Sequence, residues 1–163
     1  MLRGIVYMML NRIKIIKKLL ETGTVDRMTL SRVMSICRGN RAIVLQALAN
    51  HAGMTSSQIR DFFEEHFGLQ NIELNDFLLD PGVVKLVPFE VAWNHLIVPA
   101  FRISDKTFLA VSNPLNIEGL EEICEYIGSR CEILLSPEEQ VKKAIEDSIR
   151  PEGKKSTRSN SLR

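Results

Sequence analysis

The chain has 163 residues, 45% of them hydrophobic and 25% charged, with a formal net charge of +1. That apolar content is too high, and the net charge too low, for a disordered chain; the length suits one compact domain or two small ones. Near-neutrality excludes a global field that would gather nucleic acid or anionic lipid. The apolar run at residues 4–10 stops at Asn11-Arg12. It is too short to span a bilayer, and no small-residue cleavage site follows it. Cys37, Cys124 and Cys131 lack metal-ligand spacing and read as reduced thiols in a cytoplasm.

The average hides a polarised chain. Residues 1–69 carry 10 basic and 5 acidic side chains, residues 70–150 carry 7 and 14, and residues 151–163 carry 4 and 1. Arg3, Arg12, Lys14, Lys17 and Lys18 load the beginning with positive charge. These shifts divide the chain into an arm (1–12), a helical repeat subdomain (13–70), an α+β subdomain (71–150) and a flexible tail or linker (151–163). The start codon is left open among Met1, Met8 and Met9, and the apolar arm is expected to pack on the second half or on a partner.

In the first half, Ile13, Ile16, Leu19 and Leu20 recur at helical spacing, with Gly23 as a stop. Asp26 is a candidate N-cap for a helix bearing Leu30, Val33, Met34 and Cys37. A third helix is expected over 42–51, and Thr55 caps a fourth over 56–67 that ends at Gly68. An offset of 29 residues superposes the two helix pairs: Ile15 on Val44, Ile16 on Leu45, Leu19 on Leu48, Val33 on Phe62 and Met34 on Phe63, with Gly23 on Ala52. The coincidence of helix, tight turn and helix indicates a duplicated unit.

The second half alternates short strands and helices. Strands are expected at 71–74, 97–103, 107–111 and 130–135, the second interrupted by Pro99 and therefore an edge or bulged strand. Asp80-Pro81 opens a turn, and residues 83–86 read as one helical turn. Pro88 starts a helix over 89–95, and residues 117–127 form a helix with Ile117, Leu120, Ile123, Cys124 and Ile127 on one face. Ser136, Pro137 and Glu139 read as a capping box for a last helix ending at Ile149. The fold class is α+β: two helix-turn-helix repeats, then a small mixed or antiparallel sheet with helices on one side.

Asp80-Pro81, Leu86-Val87-Pro88 with Ala92, Val98-Pro99, the run from Leu109 to Asn116 and Ser136-Pro137-Glu138-Glu139 form a pattern over the second half. This pattern resembles the N-terminal domain of type II secretion and type IV pilus assembly ATPases, including the cyclic-di-GMP-binding variety called MshEN. The resemblance covers roughly residues 13–149 and implies a ligand motif in each helical repeat, beginning Arg-Leu-Gly. Aligned on Gly23, those places hold Lys14, Ile15 and Ile16; the second repeat holds Ile43, Val44 and Leu45, with Ala52 at the turn glycine. The closing Gln becomes Cys37 and His66. The planar guanidinium fork is absent from both places, with Arg41 two residues early, which argues against intact cyclic-di-GMP binding. If a remodelled ligand site is retained, the resemblance puts it at Lys14, Ile15, Leu19, Gly23, Arg41, Val44 and Leu48.

No Gly-x-x-x-x-Gly-Lys-Ser/Thr phosphate loop occurs, so the family's ATPase chemistry is not expected of these residues. The chain reads as either an ATPase fragment or a free-standing adaptor. No catalytic set and no metal site stands out: His51, His66 and His95 are dispersed, and Glu118, Glu121, Glu122 and Glu125 form a solvated helix face. A DNA-binding helix-turn-helix around Gly53 ranks third, because its exposed face would carry Arg60 against Asp61, Glu64 and Glu65. The expectation is a non-enzymatic, cytoplasmic docking module without cofactor, contacting a secretion, pilus or motor protein. Membrane contact would be peripheral, through that partner. Its contacts are expected at Arg12, Lys14, Lys17 and Lys18, and on an exposed face at Asn113 and Asn116. Nucleotide sensing is the alternative.

Overall fold

In a computed structural model the chain is described over residues 11–149. Residues 1–10 of the expected arm (1–12), with the question of the start, and residues 150–163, which include the tail, lie outside the described residues; Asn11 and Arg12, also assigned to the arm, are the N-cap and first residue of a helix. Four helices come first: α1 (Arg12–Glu21), α2 (Arg27–Cys37), α3 (Arg41–His51) and α4 (Ser56–Phe67). A two-residue strand β1 (Gln70–Asn71), a 3-10 turn (Leu74–Asp76) and the short helices α5 (Pro81–Val84) and α6 (Phe89–His95) lead into the sheet. The strands β2 (Ile97–Ile103), β3 (Lys106–Val111) and β4 (Arg130–Leu135) alternate with α7 (Ile117–Ile127) and α8 (Glu138–Ser148).

Each helical unit is built by the same devices. Asn11 Oδ1 accepts from the Ile13 amide at 2.8 Å, and Asn40 Oδ1 accepts from the Ala42 amide at 3.2 Å. These caps satisfy amides that a helix start leaves without partners. Asp26 and Thr55 cap the second helix of each unit, Thr55 in a full capping box with Gln58. The 2.6 Å bond from the Thr29 amide holds the Asp26 carboxyl below the usual carboxylate range. The repeat is therefore Asn-Arg to Asn-Arg, 29 residues apart.

One register expectation is corrected. The left-handed turn residues are Gly23 (φ 71°) and Gly53 (φ 67°), so Gly53, not Ala52, occupies the place of Gly23. The reason is local: α3 has 11 residues against 10 in α1, and its turn is correspondingly shorter. The unit length is kept by moving one residue from turn to helix, and both turns retain the residue that tolerates positive φ.

The sheet order is β1-β4-β3-β2, with β1 and β3 parallel to β4 and β2 antiparallel to β3. The expected strand over 71–74 is shorter than the sequence indicates, because the chain turns into the 3-10 segment at Leu74. Pro99 lies on edge strand β2 beside a register shift, as its missing N–H requires. Across that shift the Ala100 carbonyl accepts from the Asp80 amide at 2.9 Å, which covers part of the edge. Residues Ile97, Val98, Ala100, Leu109, Ala110, Val111, Ile133, Leu134 and Leu135 are all buried. Successive buried residues point to opposite faces, so this end of the sheet is covered on both sides rather than on one.

Two further expectations change. Ser136 does not cap α8: Pro137 is the N-cap residue, Ser136 Oγ is buried without a partner, and the Ser136 amide extends the sheet to Val111 O at 3.0 Å. On α1 the buried face is Ile15 and Leu19, while Ile13 lies in solvent.

Gly119 is fixed by space rather than by φ. A Cβ there would lie 2.5 Å from both Asn116 Nδ2 and His95 Nδ1. Those two atoms are 3.2 Å apart, and Asn116 Oδ1 accepts from the Gly119 amide, so the Asn116 NH2 group faces His95. His95 Nδ1 is then the acceptor, and Nε2–H donates to Glu122 Oε2 at 2.6 Å. Gly119→Ala is expected to lower stability by about 1–3 kcal/mol through overpacking, despite alanine's higher helix propensity. Urea denaturation checks this; an equal or higher stability would contradict it.

Candidate functional site

Of the seven positions assigned to a remodelled ligand site, four carry buried side chains and three are exposed. Ile15, Leu19, Val44 and Leu48 are buried members of a single hydrophobic cluster that also contains Leu109, Ile123 and Val141. Their side chains are committed to packing. Lys14, Gly23 and Arg41 are exposed.

The basic stripe on α1 is largely tied up. Arg12 bonds Glu118 of α7 at 3.0 Å, while Lys17 and Lys18 lie 3.8 and 3.1 Å from Glu21. The Arg12–Glu118 pair joins the basic helical half to the acidic half, which the segment charges had made plausible. Such exposed pairs are each worth about 0–1 kcal/mol, so they orient more than they stabilise.

The expected exposed face at Asn113 and Asn116 does not hold. Asn113 Nδ2 donates to Gln46 Oε1 at 2.7 Å, and its Oδ1 accepts from the Leu115 amide at 3.1 Å. Asn116 caps α7 and faces His95, and Pro114 and Leu115 between them are buried. The Asn-Pro-Leu-Asn turn is thus a joint between α3, α6 and α7.

A different surface emerges on α2 and the start of α3. The inner face of α2 is Val33 and Cys37, with Leu30 half-buried. Its outer side carries Met28 and Ile36, 72% and 65% exposed, and Ile43 on α3 is half exposed beside them in the chain. Arg27, Arg32, Arg38 and Arg41 are exposed on the same segment and make no ion pair among the described residues. Solvated arginines interleaved with exposed Met and Ile side chains make a cationic surface that also has apolar area to bury. Sequence reasoning assigned Leu30, Val33, Met34 and Cys37 to the core and passed over this opposite face. Met28, Arg32 and Ile36, four residues apart along one ridge, were the available signal.

Two clefts adjoin the repeats. One, of about 500 Å³, lies at the first turn between Lys17, Leu20, Glu21, Gly23, Val25, Asp26 and Arg27. The other, of about 160 Å³, is polar and lies where α3 and α4 meet Ser112, Asn113 and Glu138. On α4 the exposed side chains include Asp61, Glu64 and Glu65, while Arg60 is half-buried, so this helix presents carboxylates. Such a face repels a phosphate backbone. No helix among the described residues is long and apolar enough to cross a membrane, and no group of three His, Cys, Asp or Glu side chains there is placed to hold a metal ion.

Known proteins agree with this architecture. A type IV pilus assembly ATPase, PilB of Myxococcus xanthus (strain DK1622), is 33% identical over 100 residues, covering 61% of this chain and 18% of its own length. The chain therefore spans less than a fifth of that curated relative. A structure of MshE with cdg superposes with a TM-score of 0.59 at 20% identity, covering 81% of this chain and 96% of the other. The N-terminal domain of XpsE superposes with a TM-score of 0.53 at 15% identity, covering 84% and 95%. At these identities the two structures establish the fold alone. The family model of the MshEN domain matches residues 67–154, more than half of the sequence. The chain belongs to the MshEN domain family, as a relative of the N-terminal domains of secretion and pilus ATPases.

Proposed function

We propose that the chain is a non-catalytic, cytoplasmic docking module of a secretion or type IV pilus system, which contacts an inner-membrane platform or motor protein. The observation that carries this reading is the cationic, partly apolar outer face of α2 and the start of α3. Among the described residues its four arginines make no ion pair, and only Arg32 acts on a neighbouring carboxylate, that of Asp26, so an acidic partner surface gains most of their charge without breaking existing bonds. The exposed Met and Ile side chains supply the hydrophobic part of the contact. The likeness to pilus and secretion ATPase domains supplies the context. The absence of a phosphate loop in the sequence supports a role without ATP hydrolysis by these residues.

In the full chain, replacing Arg27, Arg32, Arg38 and Arg41 with Glu is expected to weaken binding to platform and motor proteins of the neighbouring secretion or pilus genes by about tenfold or more. The same reversal at Lys17 and Lys18 should change it less than about twofold, since both already share Glu21. Biolayer interferometry on variants with unchanged circular dichroism checks the pair. Unaltered affinity after reversal of the four arginines contradicts this surface.

The second reading, nucleotide sensing, has one observation in its favour. The cleft at the first turn has a volume of about 500 Å³ and places Lys17 and Arg27 beside Gly23. That volume falls in the range of small-molecule sites. Against it, the same cleft holds Glu21 and Asp26, and the apolar positions of the family's motif are inside the core. Calorimetric titration with cyclic-di-GMP and with ATP is expected to be flat to about 100 μM, a free-energy threshold near −5.5 kcal/mol. Saturable heat with either ligand, abolished by Lys17→Glu with Arg27→Glu, would favour sensing instead.

A further inference from the structure

The two helical units match in backbone and oppose each other in charge. Offset by 29 residues, Met28, Arg32 and Ile36 of α2 fall on Ser57, Asp61 and Glu65 of α4. The N-caps Asp26 and Thr55 keep that offset, so the two triplets occupy the same ridge of equivalent helices, at every fourth residue. All of these residues are exposed. Arg32 and Asp61 stand at the middle of their ridges.

The helix α2 contains no acidic residue, and Arg27 and Arg38 bracket its ridge at the two ends. On α4, Glu64 adds a carboxylate beside Asp61 and Glu65, while Arg60 is half-buried. Little of this charge is neutralised inside the fold. Arg32 acts on the Asp26 carboxylate, Glu64 accepts from Asn71 Nδ2 at 2.6 Å, and Glu65 lies 3.8 Å from His66. Asp61 makes no hydrogen bond or ion pair among the described residues, and no ion pair there joins α2 to α4. Two α2 faces repel each other, as do two α4 faces, whereas an α2 face attracts an α4 face. The net charge of +1 sets up no overall repulsion between copies of the chain.

We propose that the helical half is a self-association module, in which the cationic ridge of α2 on one copy packs against the acidic ridge of α4 on the next. Arg32 and Asp61 form the central pair, and Met28 and Ile36 supply the apolar share of the contact. The two surfaces are unlike, so the contact is head to tail and each copy can take a neighbour on either side. This contact uses the α2 face of the docking reading but not that reading's partner. An acidic platform or motor protein then competes with the neighbouring copy for α2, and docking disperses the self-associated chains.

The test is sedimentation velocity on the full chain. At about 1 mM chain in about 20 mM salt, the mean mass should rise with concentration above that of the monomer. In about 0.5 M salt, where charges are screened beyond about 4 Å, only monomer should remain. Arg27→Gln, Arg32→Gln and Arg38→Gln together remove the cationic ridge; Asp61→Asn, Glu64→Gln and Glu65→Gln together remove the acidic one. Either variant alone should lose at least about tenfold in association constant. Mixed in equal amounts, the two should recover a 1:1 dimer and nothing larger, because the mixture holds one natural ridge of each kind that can pair. That rescue also shows both variants to be folded. The α4 variant should bind platform and motor proteins as the natural chain does, so a failure of the docking reading is distinguished from a failure of this one. A natural chain that is monomeric in low salt, association that survives 0.5 M salt or either variant, or a mixture that stays monomeric overturns the proposal.

Discussion

The structure depends on the burial of one helical repeat in the core that it shares with the α/β half. The two repeats share length, caps and turn glycine, but not their surroundings. Phe63 of the second unit is fully buried, whereas Met34, its equivalent in the first, is 45% exposed. Leu45 and Ala49 are buried, while their equivalents Ile16 and Leu20 are only half so. The second unit is joined to the α/β half by one continuous core and by the Asn113–Gln46 and Asn71–Glu64 bonds. An aromatic cluster of Phe62, Phe63 and Phe67, with ring centroids 5.2–6.1 Å apart, fills α4 on that side. The first unit is held mainly through Ile15, Leu19, Val33 and Cys37 and by the Arg12–Glu118 pair.

This asymmetry links packing to function. A duplicated unit that buries one copy in the fold leaves the other copy's outer face to solvent. Here that face carries arginines and exposed Met and Ile side chains rather than the lysine–glutamate mixture of an inert helix surface. On α1 Arg12, Lys17 and Lys18 are engaged by Glu118 and Glu21, so much of the excess positive charge of the basic half is displayed from α2.

Much of the fold was legible in the residues because it follows from local rules. Asp26 and Thr55 announced two helix starts, Pro99 announced an irregular edge strand, and the spacing of Ile117, Leu120, Ile123 and Ile127 defined the inner face of α7. The misreadings share a cause: they depend on what packs from elsewhere. Ser136 has the right neighbours for a cap, but its amide is taken by Val111 and its hydroxyl is enclosed. Asn113 and Asn116 look like exposed turn residues until Gln46 and His95 close over them. Ile13 fits the apolar stripe of α1, yet Ile15 lies on the side that meets the core. The displacement of the turn glycine from Ala52 to Gly53 was within reach, since the second unit's only glycine before Thr55 is Gly53. The proposed docking face was the least visible, because an exposed apolar residue is recognised only once the buried face is known.

The central claim is that the two repeats are equivalent in sequence and unequal in burial, and paired alanine substitutions measure that difference directly. Phe63→Ala and Met34→Ala remove equivalent side chains from the two units, and urea denaturation compares their costs. The structure predicts a loss of about 3–5 kcal/mol for Phe63→Ala and of less than about 1 kcal/mol for Met34→Ala. Equal losses at the two positions would show that the first unit's face is also buried and would contradict the account.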